Sequence, residues 1–351
     1  MRAPRGAIAP GWTAPLPYPL RHIWAPALYQ GGLHVDGYFE GWYLKCVDGG
    51  RTHPIAFIPG VSHDRRGGTS HSFVQIVHPG GATKYIEYPI DAFKFDARRF
   101  EIEVGPNRFS SEGAVLDIAR DDVEVRGELV FGPFRPWPVR LLSPGGMGWY
   151  RFVPRMECYH GIVSLDHEVH GVLTVDGERI DFSRGRGYIE KDWGRSFPSS
   201  WVWAQSNHFD NVGTSVMISV AKIPWMGSSF VGFIGGAVIG EELYRFTTYT
   251  GAHMTAFSSW PGGAKLTLED HKHRLTAEVD TADPAPLRAP VHGCMIARAD
   301  ESLDALMHVK LTRLRDGAVL IDDEGLHAAV EVMDEKCELE AGIWRPKPAE
   351  D

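Results

Sequence analysis

The segment Trp201–Phe209 limits the fold more than any other stretch of the chain. Its odd positions are Trp201, Trp203, Gln205, Asn207 and Phe209, and its even positions are Val202, Ala204, Ser206 and His208. Side chains of a strand alternate between its two faces. As a strand this segment therefore shows one broad face of two indoles, two amides and a phenyl, and one small face. A face of Val, Ile and Leu would be an ordinary core. Trp, Trp, Gln and Asn together fit the wall of a largely apolar cavity in which a few polar groups orient a ligand. The structural alternative is that the indoles fill a core and the amides satisfy buried backbone groups. Just upstream, in Gly187-Tyr-Ile-Glu-Lys-Asp-Trp193, three adjacent charges sit in an aromatic run.

The remainder repeats the β pattern. Gly37–Lys45, Pro54–Pro59, Ser70–Val77, Lys84–Phe95 and Phe100–Val104 are short β-prone runs closed by Gly, Pro or Asp. Such spacing predicts antiparallel meanders. Asp176-Gly177 between Val172–Val175 and Glu178–Phe182 is a hairpin turn signal. Helical periodicity is scarce, and Leu303–Leu311 is the best candidate for a short helix. Residues 1–35 carry Pro15, Pro17, Pro19 and Pro26 among aromatics and read as an extended lead-in. Phe131–Trp149 reads as a proline-rich crossing loop.

Several stretches recur in order. Gly37-Tyr-Phe-Glu-Gly-Trp resembles Gly187-Tyr-Ile-Glu-Lys-Asp-Trp, and Ser72-Phe-Val-Gln-Ile-Val resembles Ser229-Phe-Val-Gly-Phe-Ile. Tyr85-Ile-Glu-Tyr, His160-Gly161 and Asp176-Gly177 find looser counterparts at Tyr244, His292-Gly293 and Asp316-Gly317. Two copies of one all-β fold are expected, residues 36–186 and 187–345, each an antiparallel barrel that closes its own edges.

With 351 residues, 43% of them hydrophobic, the chain builds sizeable cores. A net charge of −9 without a basic cluster argues against a nucleic-acid partner and against an anionic membrane surface. Cys46, Cys158, Cys294 and Cys337 show no CxxC spacing and read as free thiols. Residues 1–14 lack the apolar core of a secretory signal, and no run is long enough to cross a bilayer. A cytoplasmic protein is expected, for which only peripheral membrane contact stays open.

Three segments carry a family resemblance: Phe39-Glu-Gly-Trp-Tyr-Leu-Lys45, Met156-Glu-Cys-Tyr-His-Gly161 and Gly187-Tyr-Ile-Glu-Lys-Asp-Trp-Gly-Arg-Ser-Phe-Pro198. With Trp201-Val-Trp-Ala-Gln-Ser-Asn207 they resemble the tocopherol cyclase family, from about residue 36 to the C-terminus. The resemblance implies two tandem lipocalin-like β-barrels. It also implies closure of a chromanol ring on a prenylated hydroquinone, with no cofactor and no metal. That chemistry needs a carboxylic acid to protonate an alkene, aromatic faces beside the carbocation, and hydrogen bonds that orient the quinol. The candidate acids are Asp192 and Glu190, with Glu157 and Tyr159 as a second carboxyl–phenol pair. Candidate ligand contacts are Trp193, Trp201, Trp203, Gln205, Asn207, Trp42, Glu40 and His160. The hydrophobic small molecule could instead be carried without reaction, as lipocalins do, or be hydrated. Glu190, Lys191 and Asp192 could also form a structural ion-pair network with Lys191 or Arg195 as the cation. Because Glu40 repeats Glu190 in the motif, Asp192 is the stronger candidate for chemistry and Glu190 for structure.

Overall fold

The computed structural model describes residues 10–31, 37–64, 70–78, 83–120, 122–154, 156–225, 227–281 and 283–345. They fold into two compact units. The first takes residues 1–197 and 285–298, the second 198–284 and 299–351.

The first unit is built on a twelve-stranded antiparallel sheet. Its strands are β1 (Tyr38–Val47), β2 (Pro54–His63), β3 (His71–Val77), β4 (Lys84–Pro89), β5 (Phe93–Phe95), β6 (Glu101–Val104), β7 (Asn107–Ser110), β8 (Gly113–Arg120), β9 (Val123–Phe131), and, after the two-residue strands β10 (Val139–Arg140) and β11 (Ser143–Pro144), β12 (Cys158–Val175), β13 (Glu178–Asp181) and β14 (Gly185–Gly194). The order across the sheet is β4-β3-β2-β1-β14-β12-β9-β8-β7-β6-β5, with β13 paired to β12. The β12–β13 hairpin turns through Asp176 and Gly177, both at positive φ, as the Asp-Gly dipeptide predicts. One core cluster fills the unit, from Trp42 and Leu44 through Val104, Leu116 and Val125 to Ile189 and Trp193. The described residues of the lead-in include three short helical turns, Gly11–Thr13, Tyr18–Arg21 and His22–Trp24, and Ala27 and Tyr29 are part of that cluster.

The second unit contains β15 (Trp201–Ser206), β16 (Ser215–Trp225), β17 (Ser228–Ile239), β18 (Glu242–Thr247), β19 (His253–Trp260), β20 (Gly263–Glu269) and β21 (His273–Asp280). After β22 (Ala285–Val291), which belongs to the first unit, come β23 (Cys294–Arg313) and β24 (Val319–Met333). The sheet order is β18-β17-β16-β15-β24-β23-β21-β20-β19. This is the first sheet's order again, with β15 in the place of β1, β24 in that of β14 and β23 in that of β12. The core cluster includes Val202, Ala204, Val216, Leu266, Met307 and Val330.

Three expectations change. The segment expected to open the second half, from Gly187, is hydrogen-bonded into the first sheet, and the units divide between Phe197 and Pro198. The matched motifs at Gly37 and Gly187 are therefore not equivalent strands of two copies. They are antiparallel neighbours, Trp42 opposite Lys191 and Glu40 opposite Trp193. Leu303–Leu311 lies in strand β23 rather than a helix. Its buried residues Leu303, Ala305, Met307, Val309 and Leu311 alternate with exposed Asp304, Leu306, His308 and Lys310, a period of two that outweighs helix propensity.

Candidate active site

Strand β14 lies between β1 and β12, and its alternation sends consecutive charges to opposite faces. Directly opposed residues of antiparallel neighbours share a face. Lys191 and Trp193 therefore stand with Trp42 and Glu40 of β1 and with Gly161 and Tyr159 of β12. Glu190 and Asp192 stand with Tyr43 and Gly41 on one side and with Ile162 and His160 on the other.

The first of these faces points into the core. The Nζ of Lys191 lies 2.5 Å from Oε1 of Glu40, and both side chains are wholly buried. Lys191 also donates to the carbonyls of Pro26, at 3.1 Å, and Leu28. Glu40 accepts from the Gln30 amide at 2.9 and 3.0 Å and from the Tyr38 hydroxyl. The ammonium rests over the indoles of Trp42 and Trp193, 4.4 and 5.1 Å from the ring centres. Gly161 makes room: a methyl there would meet Pro26 at 2.8 Å and the Trp193 ring at 3.1 Å. Burial pushes the ammonium of Lys191 down to about 8 and the carboxyl of Glu40 up, each opposed by attraction to the other. Tyr159 stacks on Trp193 at 5.5 Å and donates to the Val153 carbonyl at 2.6 Å. Every polar end named here is spoken for inside the fold, which makes this face a buried lock on the lead-in.

The second face gathers titratable groups nearer to solvent. The two ring nitrogens of His160 address different carboxylates: Nδ1 lies 3.0 Å from Oδ1 of Asp192, and Nε2 lies 3.4 Å from Oε2 of Glu190. Tyr188, two residues before Glu190 and so on the same face, donates to Glu190 Oε2 at 2.5 Å. The Cys158 thiol lies 3.8 Å from Oδ1 of Asp192. The side chains of Glu190, His160 and Asp192 are 6%, 14% and 21% exposed, a gradient from the sheet toward water. Burial, and then the neighbouring carboxylates, raise the Tyr188 phenol and the Cys158 thiol well above their ordinary values. Both therefore stay protonated at neutral pH. Glu190, Asp192 and His160 each offer a ligand atom within 4.8 Å of the others, a spacing that a divalent cation fits. One imidazole can give a metal only one nitrogen, however, and here each nitrogen faces its own carboxylate.

The structure thus brings together Asp192, Glu190 and His160 from the expected set. It places Glu40, Trp42, Trp193 and Tyr159 on the opposite face of the same strands. Glu157 lies just before β12, and its carbonyl accepts from the amides of Arg195 and Ser196 at 2.7 and 3.2 Å. Trp201, Trp203, Gln205 and Asn207 lie in the second unit, all buried. The small even face, Val202 and Ala204, belongs to that unit's core cluster. Trp201 donates to Glu331 at 2.6 Å. Lys191 has Glu40 as its partner rather than Glu190 or Asp192, so the expected network around the charged triplet is replaced by two separate clusters. Sequence reasoning missed Tyr188 and Cys158; the period-two step from Glu190 reaches Tyr188, whereas Cys158 depends on strand pairing.

The model of the family described as tocopherol cyclase-like matches residues 107–334. The chain belongs to that family. It is 24% identical to a probable chloroplastic tocopherol cyclase of Oryza sativa subsp. japonica, the alignment covering 86% of this chain and 77% of the rice protein. It is 26% identical to the chloroplastic tocopherol cyclase of Zea mays, over 82% and 72% of the two chains. Among solved structures, kievitone hydratase from Nectria haematococca superposes with a TM-score of 0.51 at 11% identity, covering 93% of this chain and 96% of the other. CghA with Sch210972 gives 0.50 at 9%, covering 84% and 88%. At such identities these two speak for the fold alone. The matched region contains His160, Tyr188, Glu190 and Asp192, and among the described residues no helix is long and apolar enough to cross a membrane.

Proposed function

We propose that the protein is an acid-catalysed cyclase of the tocopherol cyclase type, an isomerase that closes a chromanol ring on a prenylated hydroquinone or related isoprenoid within a fold of two lipocalin-like barrels. The observation that carries this reading is His160 held between Glu190 and Asp192. In the first step a proton from this trio adds to the trisubstituted alkene and leaves a tertiary cation. In the second the phenol oxygen bonds to that carbon, and its proton returns to the trio, so nothing is consumed. Glu190, the less exposed carboxyl and the one bonded to Tyr188, is the donor in this reading. Asp192, the most exposed of the three, exchanges with water and recharges Glu190 through His160. This reverses the roles that the sequence suggests, because Glu40 and Glu190 prove to lie on opposite faces. Trp201, Trp203, Gln205 and Asn207 stay candidates for ligand contacts within the second unit.

Glu190→Gln and Asp192→Asn test the reading, because each keeps the shape and removes an ionisable group. Turnover of a prenylated hydroquinone should fall by roughly 100-fold or more, the usual share of general acid catalysis, with little change in melting temperature. A wild-type protein that binds the quinol without converting it would overturn the reading in favour of a carrier. A product that has gained water would make the protein a hydratase using the same acid.

A further inference from the structure

The first unit carries an apolar surface that the acid chemistry does not use. Leu142 is 77% exposed, Leu141 60%, Leu20 48%, Trp12 46%, Trp149 46% and Phe152 44%. Trp12, Leu141 and Phe152 gather around Trp24 in one patch, with Leu142 and Trp149 beside them in the chain. Trp24 packs edge-on against Trp12, 5.3 Å between ring centres, and against Phe152 at 6.1 Å, and its indole N–H donates to the Leu141 carbonyl at 2.9 Å. Trp149 and Phe152 share one 3-10 turn, Gly148–Phe152. Soluble surfaces rarely gather apolar side chains on this scale without a partner.

The charge around the patch indicates what that partner is. The chain as a whole carries −9. Yet there is no Asp or Glu between Met1 and Val35, nor between Gly132 and Met156, the two stretches of sequence from which the described residues of the patch come. Those stretches carry arginines instead, among them Arg21, Arg135, Arg140 and Arg151, with Arg140 exposed immediately beside Leu141 and Leu142. Exposed indoles with leucines flanked by arginine suit the boundary between lipid headgroups and acyl chains. A protein partner would not call for the local removal of every acidic residue, whereas a negatively charged lipid surface would.

We infer that this patch is a docking surface for a bilayer containing anionic lipid, with Leu142 and Trp149 entering the interface and Arg140 facing the headgroups. The inference stands whether or not the ring-closure reading is right. Arg151, on the same 3-10 turn as Trp149, lies 5.2 Å from the Trp193 ring and donates to the Gln30 side chain at 2.5 Å. Docking would therefore act on the turn that braces the Lys191–Glu40 lock.

Flotation of the full chain with vesicles tests it, using phosphatidylcholine alone and phosphatidylcholine with about one third phosphatidylglycerol. The wild type should float with the mixed vesicles, less so at high salt. Leu142→Glu and Trp149→Ala should each weaken this binding about tenfold, and Arg140→Glu should remove the preference for phosphatidylglycerol. Circular dichroism melts like the wild type's would show that the variants fold. The inference fails if the wild type ignores both vesicles, or if Leu142→Glu and Trp149→Ala bind as well as it does. It fails equally if the wild type is a dimer that Leu142→Glu renders monomeric while neither binds lipid, which would make the patch a contact between copies of this chain.

Discussion

The two units share a strand order but not a core. In the second unit the three central strands, β15, β24 and β23, turn Val202, Ala204, Ala328, Val330, Ala305 and Met307 inward, and all are apolar. Their counterparts in the first unit, β1, β14 and β12, bury a lysine and a glutamate among the indoles on the inward face. On the outward face they hold the His160 trio. An apolar core is stabilised by area removed from water, about 25 cal/mol per Å². A buried ion pair must first overcome the desolvation of two charges, and it often does no better than a well-packed apolar substitute. The first unit thus keeps an arrangement that stability alone does not demand. What it gains is a fixed lead-in and a β14 whose outward carboxylates are held in register.

That contrast is most exposed to test at Lys191. Lys191→Met leaves Glu40 as a buried charge without its ion-pair partner, and unfolding in denaturant should show a loss of about 3–5 kcal/mol. Adding Glu40→Leu should restore most of it, because the pair then becomes the kind of core the second unit already has. A single variant as stable as the wild type would mean that the pair contributes nothing, and the contrast between the two cores would collapse.

Acid offers a second, somewhat smaller test. His167 is buried against Phe131 and Phe134, with ring centres 4.9 and 4.8 Å away, and its Nδ1 lies 3.0 Å from the Ser164 hydroxyl. Gly187 stands opposite, and a methyl there would come within 2.4 Å of Nε2. Burial pushes this imidazole down to about 3. Below the ordinary histidine value the unfolded chain takes up a proton that the folded chain refuses, so stability falls as pH drops from about 6.5 toward 3. Near pH 4.5 the loss attributable to His167 should be roughly 3 kcal/mol. His167→Gln, which cannot protonate, should flatten that part of the pH–stability curve. An unchanged curve would show that the first unit's acid sensitivity has another source.

Much of the fold was legible because β patterning is local. Alternation in Trp201–Ser206, the Asp176-Gly177 turn and the proline-rich lead-in are all readable from neighbouring residues. Which strands become neighbours is a long-range property, and there the reading slipped. Tyr38-Phe-Glu-Gly-Trp42 and Tyr188-Ile-Glu-Lys-Asp-Trp193 look alike because both line the same sheet, not because each opens a copy of the fold. The same gap hid the Glu40–Lys191 pair, whose members are far apart in sequence and meet only through the β1–β14 register. His160 could be singled out as a polar residue near a motif, but its place between two carboxylates depends on the β12–β14 pairing.

The smallest effect concerns the second unit and decides whether its indoles serve structure or ligand. Trp201 and Glu331 are both buried, and the indole N–H donates to the carboxylate. Trp201→Phe keeps an aromatic ring and removes only the donor. Loss of a hydrogen bond to a charged acceptor costs about 2 kcal/mol. If the indole serves as an anchor for Glu331, stability should fall by about that amount while affinity for a hydrophobic quinol, read by titration calorimetry, stays as in the wild type. If Trp201 lines a ligand wall as its sequence neighbourhood suggests, affinity should fall about tenfold at nearly unchanged stability. The second outcome would make the broad face of β15 a ligand-contacting surface of the second unit.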